Sequence, residues 1–391
     1  MSNRNLVETI PIAPLKIIAL GNCEDLINQV DHYIVELRND LKKHHELIKE
    51  YLNYESKTYL VNYSIPRFGT GEAKAVIHES IRGCDLFLIA DVMNYSITYS
   101  MNKNFTFKSP DDHFQDLKRI IAAAKISRVK RINVMIPFLY ESRQHKRNKL
   151  ESLDCANALQ ELSQMGVDNI ITFDAHDPRV QNAIPIRGFD NFYTSLQFIR
   201  ELMRTEKNLH IDNKNLMVIS PDEGGMSRAV YYANVLGVEM GIFYKRCDYS
   251  TLVEGQNPIV SYEFLGSSVE GKDVYIIDDI ISSGDSVLSL AKELKKRKAR
   301  RIFIAATFGL FNQGFDQVDQ AYKENLFDRI YSTNLIYTPI ELLQRPYYKS
   351  VDLSKYIALI INTLNHDTSV NDIINPATLI QELLHSYSSS C

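Results

Sequence analysis

The polarity pattern along the chain is a series of short apolar runs set between amphipathic stretches. Candidate strands fall at Asp85–Asp91, Ile132–Ile136, Asn169–Phe173, Asn215–Ser220, Glu239–Phe243, Val274–Asp278, Ile302–Thr307 and Arg329–Ile336, each bounded by Gly, Pro, Asp or Ser. Near-continuous apolar runs of this length suit a parallel sheet, whose two faces are both covered by helices. The stretches between them have helical spacing. Phe114–Lys125 places Leu117, Ile120, Ile121 and Ala124 on one face, and Val287–Lys298 does so with Val287, Leu290, Ala291 and Leu294. Strand–helix alternation along the whole chain predicts an α/β fold built on mainly parallel sheets flanked by helices. A boundary is expected near Arg187–Tyr193, with about as many strand–helix units after it as before. Tyr356–Leu364 and Ala377–His385 read as helices that finish the fold, and the charged stretch Val35–Tyr51 as a helix added on the surface.

Composition then narrows the function classes. A length of 391 residues suggests two domains, or three. Hydrophobic residues at 45% and charged residues at 24% are ordinary for a globular protein and wrong for a disordered one. The net charge of -4 asks for no polyanionic partner. No apolar run reaches the ~18 residues of a membrane helix, and Met1–Ile10 carries no signal-peptide core. A cytoplasmic protein with no membrane partner is therefore expected. The five cysteines are scattered and never in C-x-x-C spacing, which argues against a disulfide framework and a zinc ribbon. The basic run Lys292–Arg301 invites a nucleic-acid reading, but it lies on a helix whose apolar face is intact. A solvated helix face explains it, and no nucleic-acid partner is expected.

The most informative segment is Val274–Ser286, V-Y-I-I-D-D-I-I-S-S-G-D-S. A buried strand delivers two adjacent carboxylates, Asp278 and Asp279, to a turn made of Ser282, Ser283, Gly284 and Asp285, and a helix starts at Ser286 or just before it. Ligands of α/β sheets bind at the carboxyl ends of strands. A helix N-terminus offers free N–H groups and partial positive charge, which suit phosphate. Ser283 and Ser286 add hydroxyls, and Gly284 allows close backbone approach. The carboxylates would repel phosphate and so should face sugar hydroxyls or a metal. These features fit a phosphorylated sugar, and equally an acidic strand end followed by a serine-capped helix.

The segment resembles the phosphoribosyl-pyrophosphate-binding motif of type I phosphoribosyltransferases and of ribose-phosphate diphosphokinases (PRPP synthetases). Further elements point to the second family. Ser220-Pro221-Asp222-Glu223-Gly224-Gly225 is similar to its S-P-D-x-G-G element, though Asp222 also reads as the cap of the next helix. Asp174-Ala175-His176 is similar to its D-x-H element for the magnesium–nucleotide complex. His176 would be an unusual magnesium ligand, better placed on a metal-bound water or a phosphate. Arg143 and Gln144 match an Arg-Gln pair, followed by His145 where the family usually has Asp. Phe68–Glu72 (F-G-T-G-E) resembles F-x-D-G-E, with Thr70 in place of the usual Asp. In the family this loop of one subunit contacts nucleotide held mainly by a neighbour. Lys245 matches the lysine of a mobile catalytic loop, but Cys247 falls where its second cationic residue is expected, leaving Arg246 to substitute. The polar, Gly-containing Asp248–Val269 would form the lid. These motifs occur in the family's order. With Thr333-Asn334 the resemblance covers roughly residues 60–340, while the N-terminal stretch, Val92–Asp112 and the tail are longer than in typical members.

The resemblance implies two tandem type I phosphoribosyltransferase-like domains, 1–188 with nucleotide-binding elements and 189–391 with the ribose 5-phosphate loop and the catalytic loop. It implies transfer of pyrophosphate from MgATP to the 1-hydroxyl of ribose 5-phosphate, giving PRPP and AMP. Phe68, Glu72, Arg143, Gln144 and His176 would bind ATP. Asp222, Asp278, Asp279, Ser282, Ser283, Gly284, Asp285 and Ser286 would bind ribose 5-phosphate. Asp174, His176 and Asp222 would serve Mg2+, and Lys245 and Arg246 would stabilise developing charge. It also implies a dimer-based homo-oligomer, with a hexamer as one form. The departures at Thr70 and Cys247 keep two alternatives open: a non-catalytic regulatory subunit, and a pyrophosphokinase acting on another ribose 5-phosphate ester.

Overall fold

The first strand is one that the expected set omits. Leu15–Leu20 (β1) is an apolar run between Pro14 and Gly21. The structure is a computed structural model that describes residues 9–21, 24–44, 48, 51, 54–147, 149–247 and 259–388. The chain divides into two units: 1–193 with 334–337 and 352–375, and 194–333 with 338–351 and 376–391.

In the first unit β1 is followed by α1 (Glu24–His44), β2 (Tyr63–Ser64), β3 (Val76–Ile77) and β4 (Asp85–Ala90). Then come β5 (Thr98–Met101), β6 (Asn104–Phe107), α2 (Pro110–Ile126), β7 (Arg131–Met135), α3 (Asp154–Gln164), β8 (Asn169–Phe173), a 3-10 turn (Pro178–Ala183) and β9 (Gly188–Phe192). The central sheet runs β1-β4-β7-β8-β9 with every pair parallel. All six residues of β4 are buried, as a strand covered on both faces requires. Ser109 caps α2 through a reciprocal capping box with Asp112, and Pro110 occupies the first turn.

The second unit opens with α4 (Ser195–Thr205), β10 (Leu216–Ser220), α5 (Met226–Leu236), β11 (Glu239–Cys247), β12 (Ile259–Leu265) and β13 (Asp273–Ile281). It continues through α6 (Asp285–Lys296), β14 (Ile302–Gly309), α7 (Asp316–Lys323), β15 (Arg329–Thr333), α8 (Ile340–Leu343) and β16 (Tyr348–Val351). Its sheet runs β12-β11-β10-β13-β14-β15-β16, parallel throughout except for the antiparallel β11–β12 pair. The chain leaves β10 toward β11 on one side and returns to pair β13 on the other. That reversal makes the carboxyl ends of β10 and β13 a topological switch point, where α/β sheets open a crevice. The core beneath it joins Ile219, Ile276, Val287, Leu290 and Ile304, all at or below 3% exposure.

After β16 the chain adds α9 (Ser354–Asn365) and α10 (Asn371–Ile374) to the first unit and α11 (Ala377–Ser388) to the second. The expected division into 1–188 and 189–391 is thus corrected, because residues 334–337 and 352–375 return to the first unit. The stretch placed at the boundary is itself β9 of the first sheet. The surface helix expected at Val35–Tyr51 is also corrected. Its helix begins at Glu24 and buries Leu26, Ile27, Val30, Ile34 and Leu41. Arg38, 1% exposed, donates to the side-chain oxygens of Asn362 and Asn365 on α9. Among the described residues no helix is long and apolar enough to cross a membrane.

Candidate active site

The site in the second unit is assembled from the two segments that follow the switch-point strands. β10 is buried along its whole length and ends at Ser220. The chain then turns: Ser220 Oγ donates to the carbonyl of Asp222 at 2.7 Å, and the Gly225 N–H donates to Asp222 Oδ1 at 3.0 Å. Asp222 therefore holds the turn leading into α5. A side chain on Gly225 would lie 3.1 Å from Ser220 Oγ, so the turn is close-packed.

β13 runs further than the apolar pattern indicates. Asp278 and Asp279 lie inside the strand rather than at its end, and the strand continues to Ile281. The Asp279 N–H donates to Asp278 Oδ1 at 2.8 Å. Asp279 is buried, with a carboxylate 3.7 Å from the Arg228 guanidinium on the first turn of α5. Asp278 is partly exposed. Burial, reinforced by the neighbouring Asp279 charge and only partly offset by Arg228, pushes the Asp278 carboxyl well above the usual range. Two adjacent carboxyls of this kind titrate as a pair.

The turn from Ser282 to Asp285 delivers the start of α6. Gly284 is the N-cap residue with φ of +100° and no side-chain cap, a conformation that glycine adopts without strain. The Asp285 N–H is taken by Ser283 Oγ at 3.3 Å, but Gly284 has no side chain to cap the N–H groups that follow, which leaves them to an outside acceptor. Ser283 Oγ donates to Asp285 Oδ2 at 2.7 Å. Pro221, Asp222, Asp278, Ser282, Ser283, Gly284 and Ser286 line one cleft of about 110 Å³, floored by apolar Ile281, Val287 and Leu290. Asp279 and Asp285 are not among its lining residues. Asp279 faces Arg228, a residue the sequence reading missed although a cation one turn into the helix after S-P-D-x-G-G was in plain view.

Lys245 and Arg246 are strand residues in the described backbone, not loop residues. They pair with Tyr262 and Ser261 of β12, with a register shift after Arg246. Ser220 pairs with Ile242, so β11 extends beyond the carboxyl end of β10, the end that carries Asp222. The side-chain roles expected of Lys245 and Arg246 lie outside the described residues, as does 248–258 of the expected lid. The remainder of that lid includes β12.

The first unit places the other expected residues in two groups. Asp174 follows β8, buried and with φ of +43°, and its N–H donates to the carbonyl of Phe192 at 2.9 Å. His176 is exposed two residues on, its ring edge-to-face with His145 at 5.2 Å. Burial and the neighbouring His176 hold His145 below the usual imidazole range, against the pull of Asp177 at 3.8 Å. Arg143 and Gln144 are exposed on the loop after β7. Phe68 and Glu72 belong to a separate turn, both exposed, closed by the Phe68 N–H donating to the Glu72 carbonyl at 2.7 Å. Thr70 donates to Glu72 Oε2 at 3.0 Å. Among the described residues no group of three or more His, Cys, Asp or Glu could hold a metal ion by itself.

Comparison with known proteins follows this division. Residues 15–166 match the family model for the N-terminal domain of ribose phosphate pyrophosphokinase, and residues 188–344 match that for a phosphoribosyl transferase domain. A ribose-phosphate pyrophosphokinase of Thermotoga maritima is 30% identical over 293 residues, covering 75% of this chain and 83% of the relative. One from Chlorobaculum tepidum is 27% identical over 343 residues, covering 88% of this chain and 96% of the relative. The crystal structure of phosphoribosylpyrophosphate synthetase from Mycobacterium smegmatis superposes with a TM-score of 0.69 at 20% identity, covering 90% of this chain and 99% of that one.

Proposed function

The chain belongs to the ribose-phosphate pyrophosphokinase family, and from that premise we propose that it transfers the diphosphoryl group of MgATP to the 1-hydroxyl of ribose 5-phosphate. The sugar's anomeric oxygen bonds to the β-phosphorus, the bond from that phosphorus to the α,β-bridging oxygen breaks, and AMP leaves. The observation that carries this reading is the cleft at the switch point, where a helix N-terminus without a side-chain cap meets the Asp222 and Asp278 carboxyls. The N–H groups of α6 with Ser283 and Ser286 suit the 5-phosphate. Asp278, holding its proton longer than an ordinary carboxyl, offers a donor as well as acceptors to the ribose hydroxyls. Asp222, fixed by Gly225, presents a further acceptor across the cleft.

Nothing in this cleft is an obvious general base. Alignment and neutralisation of developing charge carry most of such a transfer. Lys245 and Arg246 would supply positive charge from the extended end of β11, while Arg143, Gln144, His176, Phe68 and Glu72 would bind nucleotide. Mg2+ prefers one or two carboxylates together with substrate phosphates and water. Asp222, lining the cleft, offers such an oxygen to an ion that arrives on the nucleotide and neutralises its phosphates; Asp174, at the end of β8 in the first unit, is a separate candidate of the same kind. We further propose a cytoplasmic, dimer-based homo-oligomer.

The test is AMP release from ATP and Mg2+, with and without ribose 5-phosphate, and with EDTA. Release that requires both the sugar phosphate and the metal is expected. No AMP with any phosphorylated ribose, from protein shown to be folded, would overturn the catalytic reading in favour of a regulatory subunit. Release only with another phosphorylated ribose would reassign the acceptor.

A further inference from the structure

The stretch between β4 and α2 forms a hairpin that lies against the Phe68–Glu72 turn. β5 and β6 pair through Met101 and Asn104 across a two-residue turn, with Asn102 at φ +49° and Lys103 at φ +67°. This is the twist-matched geometry of a tight hairpin. The Asn102 N–H donates to the carbonyl of Gly69 at 2.9 Å. The Tyr99 ring lies under the Arg67 guanidinium at 4.0 Å, and Arg67 Nη1 donates to the carbonyl of Gly71 at 3.0 Å. Gly71 has φ of +93°, and a Cβ there would meet Met101 Sδ at 2.9 Å, so the turn's backbone rests directly on the hairpin.

The hairpin is in turn tied to α2. Asp116 on α2 receives Arg67 at 3.2 Å, Lys108 at 2.8 Å and Arg119 at 2.6 Å, and is nearly excluded from water, its side chain 3% exposed. Burial opposes its ionisation, but these cations hold its carboxyl below the usual range. Arg67, its side chain 9% exposed, thus spans from the turn across Tyr99 to the helix. What this clamp fixes is not core. Phe68 is 55% exposed, and Glu72 is exposed beside it. A buried cation stacked on a ring to hold two exposed side chains in place suits a contact made with something outside the chain.

We infer that the β5–β6 hairpin is a positioning element for ATP, with Tyr99 and Arg67 as positioning residues that hold the Phe68–Glu72 turn in its nucleotide-contacting shape. The inference rests on the ATP reading above and adds that nucleotide affinity is set partly by residues that do not touch the nucleotide. A preformed turn binds without the entropy cost of ordering it.

The test compares the full-length chain with Tyr99→Ala and Tyr99→Phe by steady-state kinetics and thermal melting. Removing the ring's stacking contact in Tyr99→Ala should raise KM for ATP roughly five- to tenfold. The turnover number and KM for ribose 5-phosphate should stay within about twofold, as the second unit's cleft is untouched. Tyr99→Phe keeps the ring under Arg67 and should restore the ATP value. An unchanged KM for ATP in Tyr99→Ala, with the parent active, overturns the inference alone. Parallel loss of both substrates' affinities with a lowered melting temperature makes Tyr99 merely structural and also overturns it. A parent chain that releases no AMP defeats the ATP reading, and this inference with it.

Discussion

Replacing Asp278 by Asn should stabilise the protein at neutral pH while weakening its hold on ribose 5-phosphate. Asn keeps the oxygen that accepts the Asp279 N–H at 2.8 Å and removes the carboxyl that burial and Asp279 push upward. In the unfolded chain Asp278 ionises near the ordinary value of about 3.9. In the folded chain its pKa is raised. Between those values unfolding releases a proton, so native stability falls as pH rises through the window. The slope is about 1.4 kcal/mol per pH unit. Asn lacks this loss. The stability difference between variant and parent should therefore be near zero at the acid end, grow with pH, and level off above the raised value. Urea-unfolding curves of both proteins between pH 4 and pH 8, without substrate, measure it directly. A difference that does not change with pH, or a parent that gains on the variant as pH rises, would refute the assignment of a strained carboxylate pair.

Gly284→Ala places a side chain at φ of +100° at the head of α6, which should cost roughly 1–3 kcal/mol and weaken ribose 5-phosphate binding measured by calorimetry. Lys103→Gly relieves a left-handed non-glycine residue in the β5–β6 turn and should raise stability by about 0.5–1 kcal/mol, read as a higher urea midpoint with KM for ATP unchanged.

The parts of the fold legible in the sequence were those whose signal is local. β13 with its following turn and α6 could be read from apolar run, glycine and helical spacing within thirteen residues, Val274–Ser286. The meeting of Asp222 with Asp278 could not, because it depends on the order in which β11 and β13 flank β10. α1 looked like surface because its charges are conspicuous. Its buried face is completed by Arg38, whose partners Asn362 and Asn365 lie more than 300 residues away. β1 has a visible local signal, an apolar run between Pro14 and Gly21, that the expected strand set omits. The end of β11 reads as loop only through the resemblance to a mobile catalytic loop, yet Lys245 and Arg246 pair with β12, which satisfies their backbone groups regardless of side-chain polarity. Arg67 and Tyr99 carry no recognisable pattern, as their partnership crosses from one loop to a separate hairpin.

The return of residues 352–375 to the first unit sets an order on biosynthesis. Asp85, fully buried at the start of β4, is neutralised by Arg131 at 2.7 Å and receives the Asn365 amide at 2.8 Å. Until the ribosome has supplied Asn365, that hydrogen bond does not exist, and α1 lacks the helix it packs along. The half of the protein made first is therefore completed by a segment made near the end, with the whole sheet of the second unit translated in between.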